Sequence, residues 1–327
     1  MTPAATARAH TNIALVKYWG KADTTQMLPQ TSSLSLTLDQ FYTDTTVQFD
    51  SALTADEVTL NDDRLSPQAS GKVQRFLDLV RPDGQFARVQ STNHVPTAAG
   101  LASSASAFAA LAGAASRAAG LDLTRTELSR LARHGSGSAT RSIFGGFAEW
   151  TAGTDDQSSV AHPIDETVDW PIAVVALVLN AHQKKVSSRQ GMQSSVDTSP
   201  FYPAWKDVVA HDLAAIRPAI ATHDFQQMGE ILESNAMRMH ALTLSANPPF
   251  TYFNGDSLVA MQAVQDLRDA GTACYYTLDA GPNVKLFCQT KDLPKITQTM
   301  ADLFGSEHVI VAHPGPGIQF LSSPAKF

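Results

Sequence analysis

Five short segments of this chain combine cations, hydroxyls or a carboxylate with glycine, and four of them suit the handling of an anion. The first is PTAAGLASSASA at 96–107, where Gly100 and the pair Ser103 and Ser104 stand immediately before an alanine-rich stretch. Small residues there let backbone amides approach phosphate oxygens, and a helix N-terminus adds unpaired N–H groups and the positive end of a dipole. The hydroxyls of Ser103 and Ser104 are placed either to cap the helix or to ligate Mg2+. Taken alone, the segment reads as readily as a capped packing helix. No Gly-Lys-Ser/Thr with a glycine five residues ahead of the lysine occurs in the chain. After Gly135 and Gly137, Thr140 stands where a dinucleotide fingerprint needs a third small residue. Both common nucleotide-loop designs are disfavoured.

Lys17 and Lys21 flank Tyr18, Trp19 and Gly20 in NIALVKYWGK, residues 12–21. A separation of four sets two side chains on one side of either a helix or a strand, so both ammonium groups are expected to converge on one polyanion beside the Tyr18 hydroxyl. In RHGSGSATRSIFGGF, residues 133–147, Ser136 and Ser138 offer hydroxyls and Gly135 and Gly137 expose amides. Arg141 follows Ser138 by about one helical turn, within reach of the same anion. KKVSSRQGM, residues 184–192, again joins cations to hydroxyls through Lys184, Lys185, Ser187, Ser188 and Arg189. LDAGPNV, residues 278–284, puts Asp279 ahead of Gly281 and Pro282, which by local pattern is a turn former. Each segment has an ordinary alternative: solvated lysines, a surface arginine, a charged outer face, a turn. Together the first four gather cations and hydroxyls in a chain whose formal charge is −7, which argues for a focused anion pocket.

The elements that must position these residues alternate between strand and helix. Thr45–Phe49 and Ala87–Ser91 alternate as strands, whereas Ser103–Ala119 is alanine-rich and stops at Gly120. Residues 121–134 predict a second helix with Thr124 and Glu127 spaced as a capping box. Thr151–Ser159 is polar and reads as a surface loop, and Ile172–Leu179 as a buried strand. Helical patterns follow near 204–221 and 224–242. After a break at Asn247–Pro249, a third runs to Ala270, followed by a strand pair at 273–279 and 283–289, a helix near 293–304 and a strand near 308–312. The pattern predicts an α+β protein, with no internal repeat.

The loop at 96–106, with its Pro, three residues, Gly-Leu, a small residue and Ser-Ser, resembles the ATP-binding motif of the GHMP kinase superfamily. Lys17-Tyr18-Trp19-Gly20-Lys21, that loop, Gly135-Ser136-Gly137-Ser138-Ala139 with Arg141-Ser142, and Val186-Ser187-Ser188 with Gln190-Gly191-Met192 resemble, in this order, the diphosphomevalonate decarboxylases. The resemblance runs from about residue 8 to the end. It implies a GHMP kinase fold, with a ribosomal-S5-like N-terminal lobe, a ferredoxin-like C-terminal lobe and an active-site cleft between them. It also implies ATP-dependent decarboxylation of mevalonate 5-diphosphate with ATP and Mg2+, and a homodimer. Asp279 is implied as the catalytic carboxylate with Lys17 beside it, and Arg141 as the holder of the substrate carboxylate. Tyr18, Trp19, Gly20, Lys21, Ser136, Gly137, Ser138, Ser188, Arg189, Met192 and Ala280 are implied around the diphosphate substrate. Asn93, Pro96, Ala99, Gly100, Leu101, Ala102, Ser103, Ser104 and Lys184 are implied around ATP, with Ser104 toward the metal. Thr140 stands where many relatives have Cys. Arg189 stands where eukaryotic relatives often have Thr, which suggests a bacterial-type enzyme.

Length and composition bound the rest. At 327 residues two domains are expected, drawn at 1–180 as the ATP-binding lobe and 181–327 as the C-terminal lobe. With 43% hydrophobic and 17% charged residues the composition is that of a soluble globular protein. The acidic balance disfavours nucleic acid and anionic membranes as partners, and no run approaches the length of a membrane span, so a cytoplasmic enzyme is expected. Cys274 and Cys288 alone build neither a disulfide framework nor a zinc site. A hairpin centred near Gly281 would set them opposite each other, most simply as two reduced core thiols. Two functions compete within the resemblance, a decarboxylase acting on the monophosphate and a small-molecule kinase that stops at the phosphorylated product. A nucleotide-binding regulatory protein without turnover is the alternative outside it.

Overall fold

The computed structural model describes residues 3–94, 103–179 and 185–322. The chain enters on a long strand, β1 (Ala5–Val16), turns through the small hairpin β2 (Lys21–Asp23) and β3 (Leu28–Pro29), and leaves along β4 (Ser33–Asp50). Strands β5 (Glu57–Leu60) and β6 (Asp63–Arg64), helix α1 (Pro67–Leu77) and strand β7 (Phe86–His94) come next. Helices α2 (Ser103–Ala118) and α3 (Arg125–Gly135) precede a 3-10 helix at Gly137–Ile143 and strands β8 (Phe147–Trp150), β9 (Ala161–Asp165) and β10 (Ile172–Leu177). Four helices then run in succession: α4 (Ser188–Thr198), α5 (Tyr202–Ala221), α6 (Phe225–Leu244) and α7 (Gly255–Asp269). The hairpin β11 (Cys274–Leu278) and β12 (Val284–Gln289), helix α8 (Leu293–Phe304) and strands β13 (Val309–Ala312) and β14 (Gln319–Leu321) complete the described chain.

Two sheets result. The first runs β14-β1-β4-β7-β5-β6, with β8 paired to the start of β4 and β9 to β8. It is antiparallel except for β5 beside β7. Alanine-rich α2 lies on β1 and β4 with Ala109, Ala110, Ala112, Ala114 and Ala115 buried, because a helix shorn of bulk can press close to a sheet. The second sheet runs β11-β12-β10-β13 and is antiparallel throughout. Its strand Ile172–Leu177 is buried at every position, since α7 and α8 cover one face and α5 and α6 the other. Helices α5 and α6 also meet β1, so Leu15, Leu34 and Leu36 share one core with Met228, Val174 and Phe287. The ends of β1 and β11 are thereby brought together on α6.

Local signals explain several elements. Thr124 and Glu127 form the capping box expected at the start of α3, and Ser187 with Gln190 forms another at α4. The β11–β12 register pairs Leu278 with Val284 and Cys274 with Cys288, so the hairpin is centred on Gly281 and the two cysteines are opposed as free thiols. Burial pushes Cys274 up to about 11 and Cys288 up to about 12. The alternating pattern at 45–49 marks only part of an 18-residue strand. Among the described residues no helix is long and apolar enough to cross a membrane.

Candidate active site

Lys17 is the first residue beyond β1, and its ammonium lies 2.8 Å from Asp279 Oδ1, just past the end of β11. Lys285, on β12, reaches the other oxygen of the same carboxylate at 3.3 Å. Both lysine side chains are buried, whereas Asp279 retains 23% exposure. Burial alone would raise the Asp279 pKa, but Lys17 and Lys285 outweigh it and hold the carboxyl well below the usual range. Burial also lowers Lys17, and Lys285 and Arg141 lower it further against the pull of Asp279. Sequence reasoning missed Lys285; the signal was a lone lysine inside the apolar run VKLFC.

Arg141 sits on the 3-10 helix, 2% exposed. Its Nε donates to Ser35 Oγ at 2.9 Å, one terminal nitrogen donates to Ser33 Oγ, and the other donates to Asn12 Oδ1 at 3.2 Å. Asn12 in turn donates to the Ser138 carbonyl at 3.0 Å and to Ser142 Oγ at 2.7 Å. These partners are neutral and use three of the five guanidinium N–H groups, so the charge and a pair of donors remain for an anion. Burial lowers Arg141 to about 10, opposed by Asp279 and Tyr18. A 3-10 helix has three residues per turn, which stacks Ser138 and Arg141 on one edge as their spacing suggested.

A second group of cations is linked through Arg189, which also acts on Tyr18. Lys21 is half-buried and donates to Met27 Sδ at 3.1 Å, and burial followed by Arg189 lowers it to about 8. Lys72, on α1, stands 4.3 Å from the centre of the Phe108 ring and is lowered to about 8 by burial, then by Arg189, Lys21 and Arg75. Among the described residues Lys21, Lys72 and Arg189 form no ion pair with a carboxylate. Lys21 and Lys72 are partly desolvated and the exposed Arg189 repels both, an arrangement that suits an anion of high charge. Lys72 carried no motif in the sequence; only the packing of α1 brings it here.

The Tyr18 ring rests edge-on against Trp150 at 4.9 Å, and its buried hydroxyl has no partner among the described residues. Burial raises its pKa, so it is a donor, and an incoming acceptor would satisfy it. Gly137 is required beside it, since a Cβ there would come within 2.9 Å of both the Tyr18 and Trp150 rings. Gly20 adopts φ +110°, and a Cβ would fall 1.9 Å from the Tyr202 hydroxyl, which donates to the Trp19 carbonyl at 2.8 Å. This left-handed residue breaks the segment, so Lys17 and Lys21 do not share one side of a helix or strand as expected. Lys17 faces Asp279 and Lys21 faces the outer group. Trp19 is 3% exposed and packs in the core against Tyr252.

Hydroxyls link these groups to the start of α2. Ser136 Oγ lies 3.3 Å from Ser104 Oγ and 3.2 Å from Ser138 Oγ. Ser103 and Ser104 are exposed in the first turn of α2, where unpaired N–H groups and the helix dipole favour an anion. Asn93, at the end of β7, is tied by Thr43, which donates to its Oδ1 at 2.9 Å. Ser188 and Arg189 open α4, while the neighbouring Ser187 hydroxyl is engaged in the helix cap. Met192 is half-buried against the core, and Ala280 is buried beside Asp279. Pro96, Ala99, Gly100, Leu101, Ala102 and Lys184 lie outside the described residues. On α6, His240 is 1% exposed, and burial followed by the charge of Lys17 lowers it to about 3, so it is neutral.

The site therefore offers an ionised carboxylate between two ammoniums, a buried guanidinium open to an anion, and an outer cation group beside a hydroxyl-lined helix start. It can orient a hydroxyl, neutralise a moving phosphoryl group and hold a substrate that is anionic at both ends.

Comparison with known proteins is consistent along the chain. The family model described as diphosphomevalonate decarboxylase-like N-terminal domain matches residues 9–161, and that described as mevalonate 5-diphosphate decarboxylase C-terminal domain matches residues 174–315. The diphosphomevalonate decarboxylase of Aspergillus fumigatus is 38% identical, the match covering 92% of this chain and 80% of the relative. The crystal structure of mevalonate diphosphate decarboxylase from Staphylococcus aureus superposes with a TM-score of 0.95 at 45% identity, covering 98% of this chain and 99% of that one. A solved structure described as "MDDEF in complex with MVAPP, AMPPCP and Magnesium" gives a TM-score of 0.94 at 50% identity, covering 99% and 100%.

Proposed function

Because this chain belongs to the diphosphomevalonate decarboxylase family, we propose that its cleft carries out the ATP-dependent decarboxylation of mevalonate 5-diphosphate to isopentenyl diphosphate, ADP, phosphate and CO2. Its fold is that of the GHMP kinases, as in the solved members of the family. The observation that carries the reading is the Asp279 carboxylate held between Lys17 and Lys285, with Arg141 nearby in no ion pair with a carboxylate among the described residues.

Asp279 accepts a hydrogen bond from the C3 hydroxyl and aims its oxygen at the γ-phosphorus of ATP. Two ammoniums keep the carboxylate ionised and weakly basic, so it orients first and takes the proton late, as a loose phosphoryl-transfer transition state permits. Lys17 meets the charge on the moving group. The new C3–O–P linkage forms as the bond to the β-phosphate breaks, releasing ADP. Departure of phosphate from C3 then draws the C1–C2 bonding pair into a C2=C3 double bond, and C1 leaves as CO2. Arg141 holds the C1 carboxylate until that bond breaks. Tyr18, Lys21, Ser136, Ser138, Ser188, Arg189 and, beyond the residues the motifs named, Lys72 hold the diphosphate, whose binding energy fixes the reacting end.

The exposed Ser104 hydroxyl at the start of α2, within reach of Ser136, fits a divalent cation of the Mg2+ type that neutralises nucleotide phosphate charge. Lys184 and the loop 96–102 are assigned to ATP by the resemblance of their motifs. Two lobes are kept, but the boundary expected at residue 180 is moved back to between 162 and 173, because β10 pairs with β12 and β13 in the second sheet and the family models divide there, with β14 returning to the first sheet. The free thiols Cys274 and Cys288 support a cytoplasmic location. The homodimer rests on family resemblance and is tested by sedimentation.

Three outer cations, Lys21, Lys72 and Arg189, that form no ion pair with a carboxylate among the described residues favour the diphosphate over the monophosphate as substrate. Coupled assay of ADP and CO2 release on each compound tests this. ADP and CO2 from the 5-diphosphate is the expected result. ADP without CO2 would mark a kinase, and preference for the monophosphate would reassign the substrate.

A further inference from the structure

The backbone N–H of Lys17 has left the β1–β4 ladder, whose last pair is Val16 with Leu34, and is met from 218 residues away. Asn235 of α6, fully buried, accepts from it at 2.8 Å through Oδ1. The Nδ2 of the same amide donates to Asp212 Oδ2 on α5 at 2.8 Å. Arg238, one turn along α6, donates to both Asp212 oxygens at 3.0 and 3.1 Å. The amide has only one workable orientation, because a backbone N–H can only donate and an ionised carboxylate can only accept. Helix α6 also packs on β11, whose end presents Asp279.

We infer that Asn235, locked by Asp212 and Arg238, is a positioning residue that fixes the Lys17 backbone and so the distance from its ammonium to Asp279. A lysine ammonium hangs on four rotatable carbons, and the placement of its Cα decides whether a single extended conformer reaches the carboxylate. The inference rests on the proposed role of Lys17 in the reaction. Nothing in the sequence marks Asn235, which stands in the interior of a helix with no neighbouring motif.

The test is Asn235→Ala, Asn235→Asp and the exchange N235D/D212N, measured by single-turnover ADP formation per folded enzyme, ligand binding and thermal unfolding. Asn235→Ala should slow turnover roughly 10- to 100-fold, the scale of a displacement of about 1 Å, while ligand affinities stay within about threefold. Asn235→Asp should be equally impaired, with two carboxylates opposed. The exchange restores a donor facing an acceptor and should recover turnover to within about fivefold of wild type. A merely structural amide would lower the unfolding temperature and leave the rate of folded enzyme unchanged; that result, or an exchange that regains stability without rate, overturns the inference. If Asn235→Ala does not fold, Asn235→Asp and the exchange decide by the same comparison. Wild-type enzyme inert on mevalonate 5-diphosphate would instead refute the proposed function itself.

Discussion

Replacing Asp279 by Asn leaves the shape of the turn almost unchanged and removes the charge that two buried ammoniums share. At an effective dielectric near 20, unit charges about 3 Å apart attract by roughly 5 kcal/mol, and desolvation offsets much of this. The Lys17 and Lys285 contacts are 2.8 and 3.3 Å. Removing one partner of such a buried pair costs about 3–5 kcal/mol, because the orphaned charge stays desolvated. A lysine can escape that cost by losing its proton, and burial already lowers Lys17. With the carboxylate gone its folded pKa falls further below the unfolded value, so the variant gains stability relative to wild type as pH rises toward the unfolded lysine range. The deficit of Asp279→Asn should therefore be largest near pH 6 and narrow by pH 9, read from urea midpoints at several pH values. Adding Lys285→Met removes one orphan and should restore about 1–3 kcal/mol. Single-turnover ADP formation should fall about 100-fold or more, with both substrates still bound. A turn residue would behave otherwise, since Asn and Asp tolerate the same turn. An Asp279→Asn enzyme with unchanged urea midpoints and near-normal turnover would refute both the charge argument and the catalytic assignment.

Arg189→Ala should raise the KM for the diphosphate substrate by a factor equivalent to about 1.5–3 kcal/mol, with a smaller change for ATP. Separate titration of the two substrates checks this, and an effect confined to ATP would move Arg189 to the nucleotide side. Ser104→Ala should weaken productive Mg·ATP binding, visible in ATP KM or kcat; no change in either would remove Ser104 from the metal. His240, lowered to about 3 in the folded protein, binds its proton more readily when unfolded. Stability is thus full above about pH 6.5 and is lost as pH falls toward 3, by something of the order of 5 kcal/mol in total. His240→Leu should flatten that part of the acid denaturation curve, and parallel curves would show that the imidazole is not buried neutral.

The local grammar of this chain was legible without its fold. The capping box at Thr124, the alanine-rich helix after Ser103 and the hairpin centred on Gly281 are each set by neighbours a few residues apart, and they form where the sequence indicates. The resemblance of the motifs was enough to nominate Lys17, Arg141 and Asp279, which the structure does bring close together. Spacing misled where the backbone departs from regular geometry: Gly20 turns Lys21 away from Lys17. Lys285 gave only the hint of a charge in an apolar strand, and Lys72, Asn12, Ser33, Ser35 and Asn235 gave none. These residues act across 100 residues or more, or from a separate helix. Propensity and periodicity report what a segment buries, and they carry no information about which distant segment it is buried against. The sequence alone determined many of the elements and the chemical inventory, though helices α1 and α4 and strand β1 were not read from it. Only the docking of α6 against the ends of β1 and β11 decided that two lysines share one aspartate, because that proximity comes from packing the core between the sheets.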